Sequence, residues 1–181
     1  MKKLLSITAV VALIAVMAVA MVGCVSVPQD PAEAKANLDS NGYTAVHAKT
    51  ALVMDTAIAL VKTCFPVEDL EFKNGDLDSV VAGIKITSGE EAQTDFIIAL
   101  YFKEEEKAKA IETEVKNVLS EMKEEINEFY QEALEENLTD EEKAELQKQY
   151  DAALEQLKEY AVGRSGVALV VGTKAGVKAA N

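Results

Sequence analysis

The longest periodic segment of the chain lies between residues 104 and 137, and it constrains the fold more than any other feature. Apolar side chains recur there at every third or fourth position, and most of the residues between them are polar or charged. The apolar stripe consists of Ala108, Ile111, Val115, Val118, Met122, Ile126, Phe129 and Ala133. This spacing predicts one amphipathic helix of about 34 residues, roughly 50 Å long at 1.5 Å per residue.

A second helix is predicted directly after the first. Thr139 precedes Glu142 by three residues, which is the spacing of a capping box at a helix start. The apolar stripe that follows consists of Leu146, Tyr150, Ala153, Leu157 and Tyr160. We therefore expect a helical hairpin over residues 104–160 with its turn near Asn137. Its packing partner, its own sheet or another chain, stays open at this point.

Segments rich in β-branched and aromatic residues flank this hairpin and predict strands. Asp95–Phe102 is apolar at consecutive positions, as in a central strand that is covered on both faces. The other predicted strands are Tyr43–His47, Leu70–Phe72, Leu77–Ile86 and Val167–Val171, with Asn74-Gly75 as a hairpin turn. Shorter helices are predicted at Pro31–Leu38, Thr50–Thr63 and Ala175–Ala180, and Gly163–Gly166 is predicted to end the hairpin.

These elements predict an α+β fold. We expect an antiparallel sheet of four to five strands packed by helices, with the long helical hairpin inserted before the last strand. Residues 31–181 would form a single α+β domain that includes the hairpin.

The amino terminus has a different character. Lys2 and Lys3 precede an uncharged run from Leu4 to Val22, which ends at Gly23-Cys24 before a polar, proline-containing stretch. A run of 19 residues is long for the core of a signal peptide and close to the minimum for a spanning helix. A cleaved signal peptide and an uncleaved membrane helix are the two alternatives, and both tether the rest of the chain outside the cytoplasm.

The segment Met21-Val22-Gly23-Cys24 resembles the lipobox of bacterial lipoproteins, although Met21 departs from the commoner leucine. The resemblance implies a signal peptide at residues 1–23 and lipid attachment to the sulfur of Cys24, with fatty acyl chains such as palmitate. Residues 24–30 would then be the lipidated anchor and tether. The chain would lie on the extracytoplasmic face of the cell membrane, where two acyl chains give stable attachment.

The remainder of the chain is loosely similar to small lipoproteins of gut Firmicutes. The similarity rests on Asn41-Gly42-Tyr43, on Ile98–Phe102 before an Ala-rich helix, and on Val170–Lys174. It implies a topology and no activity.

Charge and the scarcity of certain residues exclude several functions. Removal of residues 1–23 leaves 16 basic and 31 acidic side chains, a net charge of −15, so nucleic acid is not an expected partner. His47 is the only histidine, which excludes a multi-histidine metal site or a histidine triad within one chain. With Cys24 lipidated, Cys64 is the only thiol, so no intrachain disulfide is possible; we expect a buried structural cysteine.

The acidic residues do not form a recognisable site either. Glu121, Glu124, Glu125 and Glu128 fall on one flank of the predicted helix, as a solvated face. The cluster at residues 135–142 lacks the ligand spacing of an EF-hand calcium loop. Gly163–Gly166 and Gly172–Lys174 lack the P-loop spacing. We therefore predict no cofactor, no metal and no enzymatic activity.

The prediction for function is a non-enzymatic binding or interaction module at the bacterial cell surface, with an envelope protein or polymer as its partner. The alternative is a small-ligand carrier with a cavity between the sheet and the hairpin, near Tyr43, Tyr101, Phe129 and Tyr160. The sequence leaves the partner, the type of cell envelope and the oligomeric state open.

Overall fold

A five-stranded antiparallel sheet forms the centre of the molecule, and helices cover both of its faces. The computed structural model describes residues 27–64, 71–87, 93–136 and 138–181, so the predicted signal peptide, Cys24 and Leu70 lie outside the described residues. The strands are β1 (Thr44–Ala48), β2 (Leu77–Thr87), β3 (Gln93–Phe102), β4 (Tyr160–Ser165) and β5 (Ala168–Thr173), in the spatial order β1-β2-β3-β5-β4. The helices are α1 (Pro31–Ser40), α2 (Ala51–Cys64), α3 (Glu105–Glu135), α4 (Asp140–Glu159) and α5 (Lys174–Ala180). The predicted α+β class is confirmed.

The two faces of the sheet support separate hydrophobic cores. The face covered by α2, α3 and α4, here the front face, carries alternate residues such as Val80, Ile98 and Leu100. The opposite or back face carries the intervening residues, such as Val81 and Ala99, and is covered by α1 and α5. Side chains alternate between faces along a strand, so a strand that contributes side chains to both cores must be apolar at consecutive positions.

Strand β3 confirms the prediction of a central, doubly covered strand. It pairs with β2 on one side and with β5 on the other. Its residues Ile97 to Phe102 are all at least 94% buried, because Ile98 and its even-numbered neighbours face the front core while the odd-numbered residues face the back core.

The long helix α3 forms because its apolar stripe covers the front face. The buried residues of the stripe are Ala108, Ile111, Val115, Val118, Leu119, Met122, Ile126 and Ala133. A fully buried isoleucine or valine contributes about 1.5–3 kcal/mol, whereas an ion pair such as Glu112–Lys116 on the same helix contributes about 0.5 kcal/mol. Burial of the stripe therefore dominates the stability of α3.

The helical hairpin packs on its own sheet, which the sequence had left open. Most of the buried stripe of α3, up to Ile126, belongs to the front core together with Leu169 and Val171 of β5. Tyr150 of α4 stacks on Tyr130 of α3 with 4.2 Å between ring centroids, and its hydroxyl donates to Asn127 Oδ1 at 2.5 Å. The predicted capping box is confirmed, since Glu142 N donates to Thr139 Oγ1 and Thr139 N donates to Glu142 Oε2.

The predicted hairpin turn at Asn74-Gly75 is wrong. Asn74–Asp76 is a short 3-10 helix, and residues 71–73 are not in a strand. The Asp76 carboxylate accepts the Lys73 backbone N–H at 2.9 Å, which closes a tight helical turn in place of a two-residue hairpin. Phe72 is buried in the front core, 5.7 Å from the ring of Phe102, so its position is fixed by packing.

The predicted end of the hairpin at Gly163–Gly166 is also wrong. Residues 160–165 form the edge strand β4, which pairs with β5 along its whole length. Tyr160 therefore begins a strand and does not end a helix, and the hairpin precedes the last two strands. The turn lies at Gly166, whose φ of +57° is a conformation that suits glycine.

The remaining helices and strands agree with the predictions to within a few residues. Asp30 caps α1 by accepting from Ala32 N at 2.8 Å, and Thr173 caps α5 by accepting from Gly176 N at 3.0 Å. Helix α2 is present as predicted and begins one residue later. Within the described part of the chain, no helix combines the length and the apolar character that crossing a bilayer requires.

Candidate functional site

The first described residues after Cys24, from Val27 onward, contact the sheet. Val27 is 2% exposed and belongs to the back core together with Tyr101 and Ala168. The Tyr101 hydroxyl donates to the carbonyl oxygen of Pro28 at 3.0 Å. Residues 27–30, predicted as part of a tether, are thus part of the folded surface.

The turn between β4 and β5 lies beside this segment. A Cβ atom on Gly166 would collide with the side chain of Gln29, so only glycine leaves room for that side chain in its present position. Gln29 and the Gly166 turn therefore lie at the same end of the sheet as Pro28 and Tyr101.

Arg164 joins this turn to the first turns of α3. Its Nη1 donates to Gly166 O and to Glu105 Oε1, both at 2.6 Å, and its Nε donates to Glu112 Oε2 at 3.2 Å. The hydrogen bond to Glu105, followed by the one to Glu112, raises the pKa of Arg164 against the effect of desolvation. A planar guanidinium can serve three acceptors in this way because its donors are fixed in a fork.

These contacts define one end of the molecule, which we call the near end. It contains Val27–Asp30, Tyr101, the Gly166 turn and the start of α3 at Glu105. The opposite end of the sheet, where β2 and β5 finish, is the far end. Sequence reasoning missed the near end because a short polar stretch that contains Pro28 is typical of a linker, and only the tertiary contact of Tyr101 shows that it contacts the sheet.

Burial alters the acidity of the tyrosine at this end. Desolvation raises the pKa of Tyr101 from 10.0 to about 12, with smaller contributions from the negative charges of Asp30 and Glu33. The hydroxyl therefore remains protonated and able to donate to Pro28 over the physiological pH range.

The four residues predicted to line a carrier cavity are not brought together. Tyr43 and Tyr101 belong to the back core, whereas Phe129 lies on α3, which covers the front face. The side chain of Tyr160 lies outside the described residues. The predicted cavity lining is therefore wrong, because Tyr43 and Tyr101 lie on the back face whereas the helical hairpin packs on the front face.

A cavity of about 430 Å³ does lie in the surface at another place, between the 3-10 helix and the first turn of α3. Its lining residues are Glu71, Phe72, Lys73, Asp76 and Lys107. Lys107 Nζ already donates to the carbonyl oxygen of Glu71 at 2.7 Å, which holds the two walls together.

The predicted acidic groups are placed on the surface. Glu121, Glu124, Glu125 and Glu128 are all exposed on α3, as predicted for a solvated flank. Within the described residues, no three His, Cys, Asp or Glu side chains approach closely enough to hold a metal ion. His47 lies in β1; its Nε2 is buried and has no hydrogen-bond partner among the described residues.

The two glycine-containing segments that lack the P-loop spacing have structural roles. Gly163 and Gly172 are strand residues, and Thr173 caps α5. Gly172 is needed for close approach, since a Cβ there would collide with the Phe96 carbonyl oxygen and lie 2.8 Å from the Ile97 Cα. Cys64 ends α2, and its side chain lies outside the described residues.

The chain matches no protein-family model, no curated protein and no solved structure.

Proposed function

We propose that this protein is a bacterial lipoprotein anchored through Cys24 on the extracytoplasmic face of the cell membrane, and that its α+β domain is a non-enzymatic interaction module. The observation that carries the proposal is the uncharged run from Leu4 to Val22, which follows two lysines and ends at Gly23-Cys24. The proposed partner is an envelope protein or polymer.

The position of Val27 supports an anchor close to the domain. Val27 is buried, and Cys24 precedes it by three residues, which span at most about 11 Å when fully extended. An acyl chain on the Cys24 sulfur would therefore hold the folded domain next to the bilayer. A long flexible linker would let the domain move far from the membrane, but only two residues lie between Cys24 and Val27.

The charge of the hairpin restricts the chemistry of the partner. Residues 127–149, which we call the distal hairpin, contain eight acidic and two basic side chains, a net charge of −6. Such a surface repels phosphate-rich polymers and favours partners with neutral or cationic surfaces. A protein with a basic patch is the partner class that fits best.

Metabolic labelling with an alkyne analogue of palmitate tests the anchor. The full chain, expressed in a bacterial host, is expected to carry the label in the membrane fraction. Cys24→Ser is expected to lose the label and to accumulate with residues 1–23 still attached. Cys64→Ser, which changes the other cysteine of the chain, is the matched control and is expected to keep the label.

Two results would contradict the anchor. An unlabelled wild-type chain would exclude acylation, and equal labelling of Cys24→Ser and wild type would place the lipid elsewhere.

Photo-crosslinking on intact cells tests the interaction module. A photoreactive residue in place of the exposed Gln131, on the distal hairpin, is expected to give a discrete crosslinked product. The same residue in place of the exposed Lys178, on α5, is the control and is expected to give none. If native mass spectrometry of the purified chain instead showed a retained small molecule, the carrier alternative would replace the interaction module.

A further inference from the structure

The near end contains both residues 27–30, which begin three positions after Cys24, and the start of the helical hairpin. Tyr101 holds Pro28 there, while Arg164 bonds both the Gly166 turn and Glu105, the first residue of α3. The residues after the anchor position are therefore connected to the base of the hairpin in two ways. One connection is the backbone from Tyr101 to Glu105, and the other is the Arg164 side chain, which joins the Gly166 turn to Glu105.

The direction of α3 follows from its connection to β3. Strand β3 runs toward the near end and finishes at Phe102, and α3 begins three residues later at Glu105. Because α3 packs along the front face, it must run back from the near end toward the far end. Its 31 residues extend about 46 Å, whereas the ten residues of β3 extend about 33 Å.

The excess length projects beyond the sheet. The part of α3 that belongs to the front core finishes at Ile126, and the part of α4 packed against that core begins at Tyr150. Between them, the distal hairpin is held mainly by contacts of α3 with α4, such as the ring stack of Tyr130 on Tyr150. Ala133 and Leu146 are buried in this region and lie outside the front core.

We infer that the near end faces the membrane and that the distal hairpin points away from it, so that its acidic tip is the outermost surface of the protein and the part that a partner protein with a basic patch meets first. This inference rests on the proposed attachment at Cys24, and it holds for either alternative at the amino terminus. An acylated Cys24 and an uncleaved membrane helix that ends at Val22 both place the bilayer within a few residues of Val27.

Measurement of label heights above a bilayer tests the orientation. The chain from residue 24 to 181, which contains every described residue, is prepared with Cys64→Ser and coupled through Cys24 to a maleimide lipid in phosphatidylcholine vesicles. In two separate variants, an azide-bearing residue that carries a fluorescent donor replaces exposed Glu106 or exposed Glu136. Energy transfer from this donor to acceptor lipids in the bilayer reports the height of the donor above the membrane.

The expected result is strong energy transfer from the label at Glu106 and weak transfer from the label at Glu136, with a height difference of about 45 Å. As a matched control, the same labels are measured with the tether moved to the distal hairpin through Cys24→Ser and Gln131→Cys, which is expected to reverse the order of the heights.

Equal heights of the two labels, or a lower label at Glu136, would overturn the inferred orientation. Because the vesicle tether is chemical, failure of acylation in cells would not change this result. A flat orientation on vesicles, in turn, would leave the proposed acylation of Cys24 intact, so the two failures are distinguishable.

Discussion

The hydroxyl oxygen of Tyr101 lies 3.0 Å from the carbonyl oxygen of Pro28 and donates a hydrogen bond to it. This bond joins the central strand of the sheet to a residue only four positions after Cys24. The same residues that pack the back core therefore also determine where an anchor at Cys24 would meet the domain.

Removal of this hydroxyl is expected to destabilise the protein. Tyr101→Phe leaves the Pro28 carbonyl without its donor, so the free energy of unfolding should fall by about 1–2 kcal/mol, measured by urea denaturation. Tyr43→Phe is the matched control, because Tyr43 is also a buried tyrosine of the back core and its hydroxyl takes no part in the hydrogen bond to Pro28. An equal loss in both variants would contradict a specific role for the Tyr101 hydroxyl.

Alkaline pH is expected to weaken the same contact. Burial, with Asp30 and Glu33, raises the pKa of Tyr101 from 10.0 to about 12. A phenol whose pKa is higher in the folded state stabilises that state fully below pH 10, and the contribution is lost as the pH rises toward about 12. The free energy of unfolding, measured by denaturation at several pH values, should decline less over this interval in Tyr101→Phe than in the wild type. Equal declines in the two proteins would contradict the prediction.

Close packing at Gly172 is expected to make this position intolerant of any side chain. The added methyl group of Gly172→Ala would collide with the Phe96 backbone, and such overpacking costs about 1–3 kcal/mol or more. Gly75→Ala is the matched control, since the nearest atoms to its added methyl group belong to the flexible Lys73 side chain at 3.8 Å. In thermal denaturation, the melting temperature of Gly172→Ala should be clearly lower than that of Gly75→Ala. Similar melting temperatures would show that the β3–β5 contact can relax to accept a methyl group.

Arg164 is expected to stabilise the junction between β4 and α3. Arg164→Ala removes hydrogen bonds to Glu105, Glu112 and Gly166, for an expected loss of about 1–2 kcal/mol given the partial exposure of the two carboxylates. Lys35→Ala removes an exposed pair within α1 and should cost less than about 0.5 kcal/mol. Chemical denaturation measures the loss of unfolding free energy in each variant. Equal losses in Arg164→Ala and Lys35→Ala would show that solvent screens both residues equally and would contradict the prediction.

The capping box at Thr139 is expected to control fraying of α4. The Thr139 backbone N–H and hydroxyl both donate to Glu142, which lowers the pKa of its carboxyl below 4.5. The capping contribution is therefore present above pH 4.5 and is lost as the pH falls through the lowered pKa. Thr139→Ala should lower the protection factors of the amides in the first turn of α4 at neutral pH, and acid should lower the protection factors of the same amides in the wild type.

The first turn of α1, capped by Asp30, provides an internal reference for that experiment. Its exchange should be unaffected by Thr139→Ala. Loss of protection at both helix starts in Thr139→Ala at neutral pH would indicate global unfolding and would contradict a local role for the box.

Local patterns in the sequence were sufficient for most helices and strands. The stripe of α3, the capping box at Thr139 and the consecutive apolar residues of β3 each reflect a rule that acts over a few residues, so they predict their elements directly. The α+β class follows from the order of those elements.

Long-range contacts decided what these patterns could not. Gly163-Arg164-Ser165 looks like a turn, but pairing with β5 makes it a strand. Tyr43 and Tyr101 are both aromatic and buried, yet only the sheet shows that they lie on the face opposite the hairpin.

The sequence by itself thus determined the secondary structure of the hairpin, the acidic charge and the pattern around Cys24. Only the tertiary structure decided that Val27 and Pro28 contact the sheet and that the hairpin begins at the same end of the sheet. The physical reason is that periodicity and capping depend on neighbours along the chain, whereas the positions of Pro28, Tyr101 and Arg164 depend on contacts between residues distant in sequence.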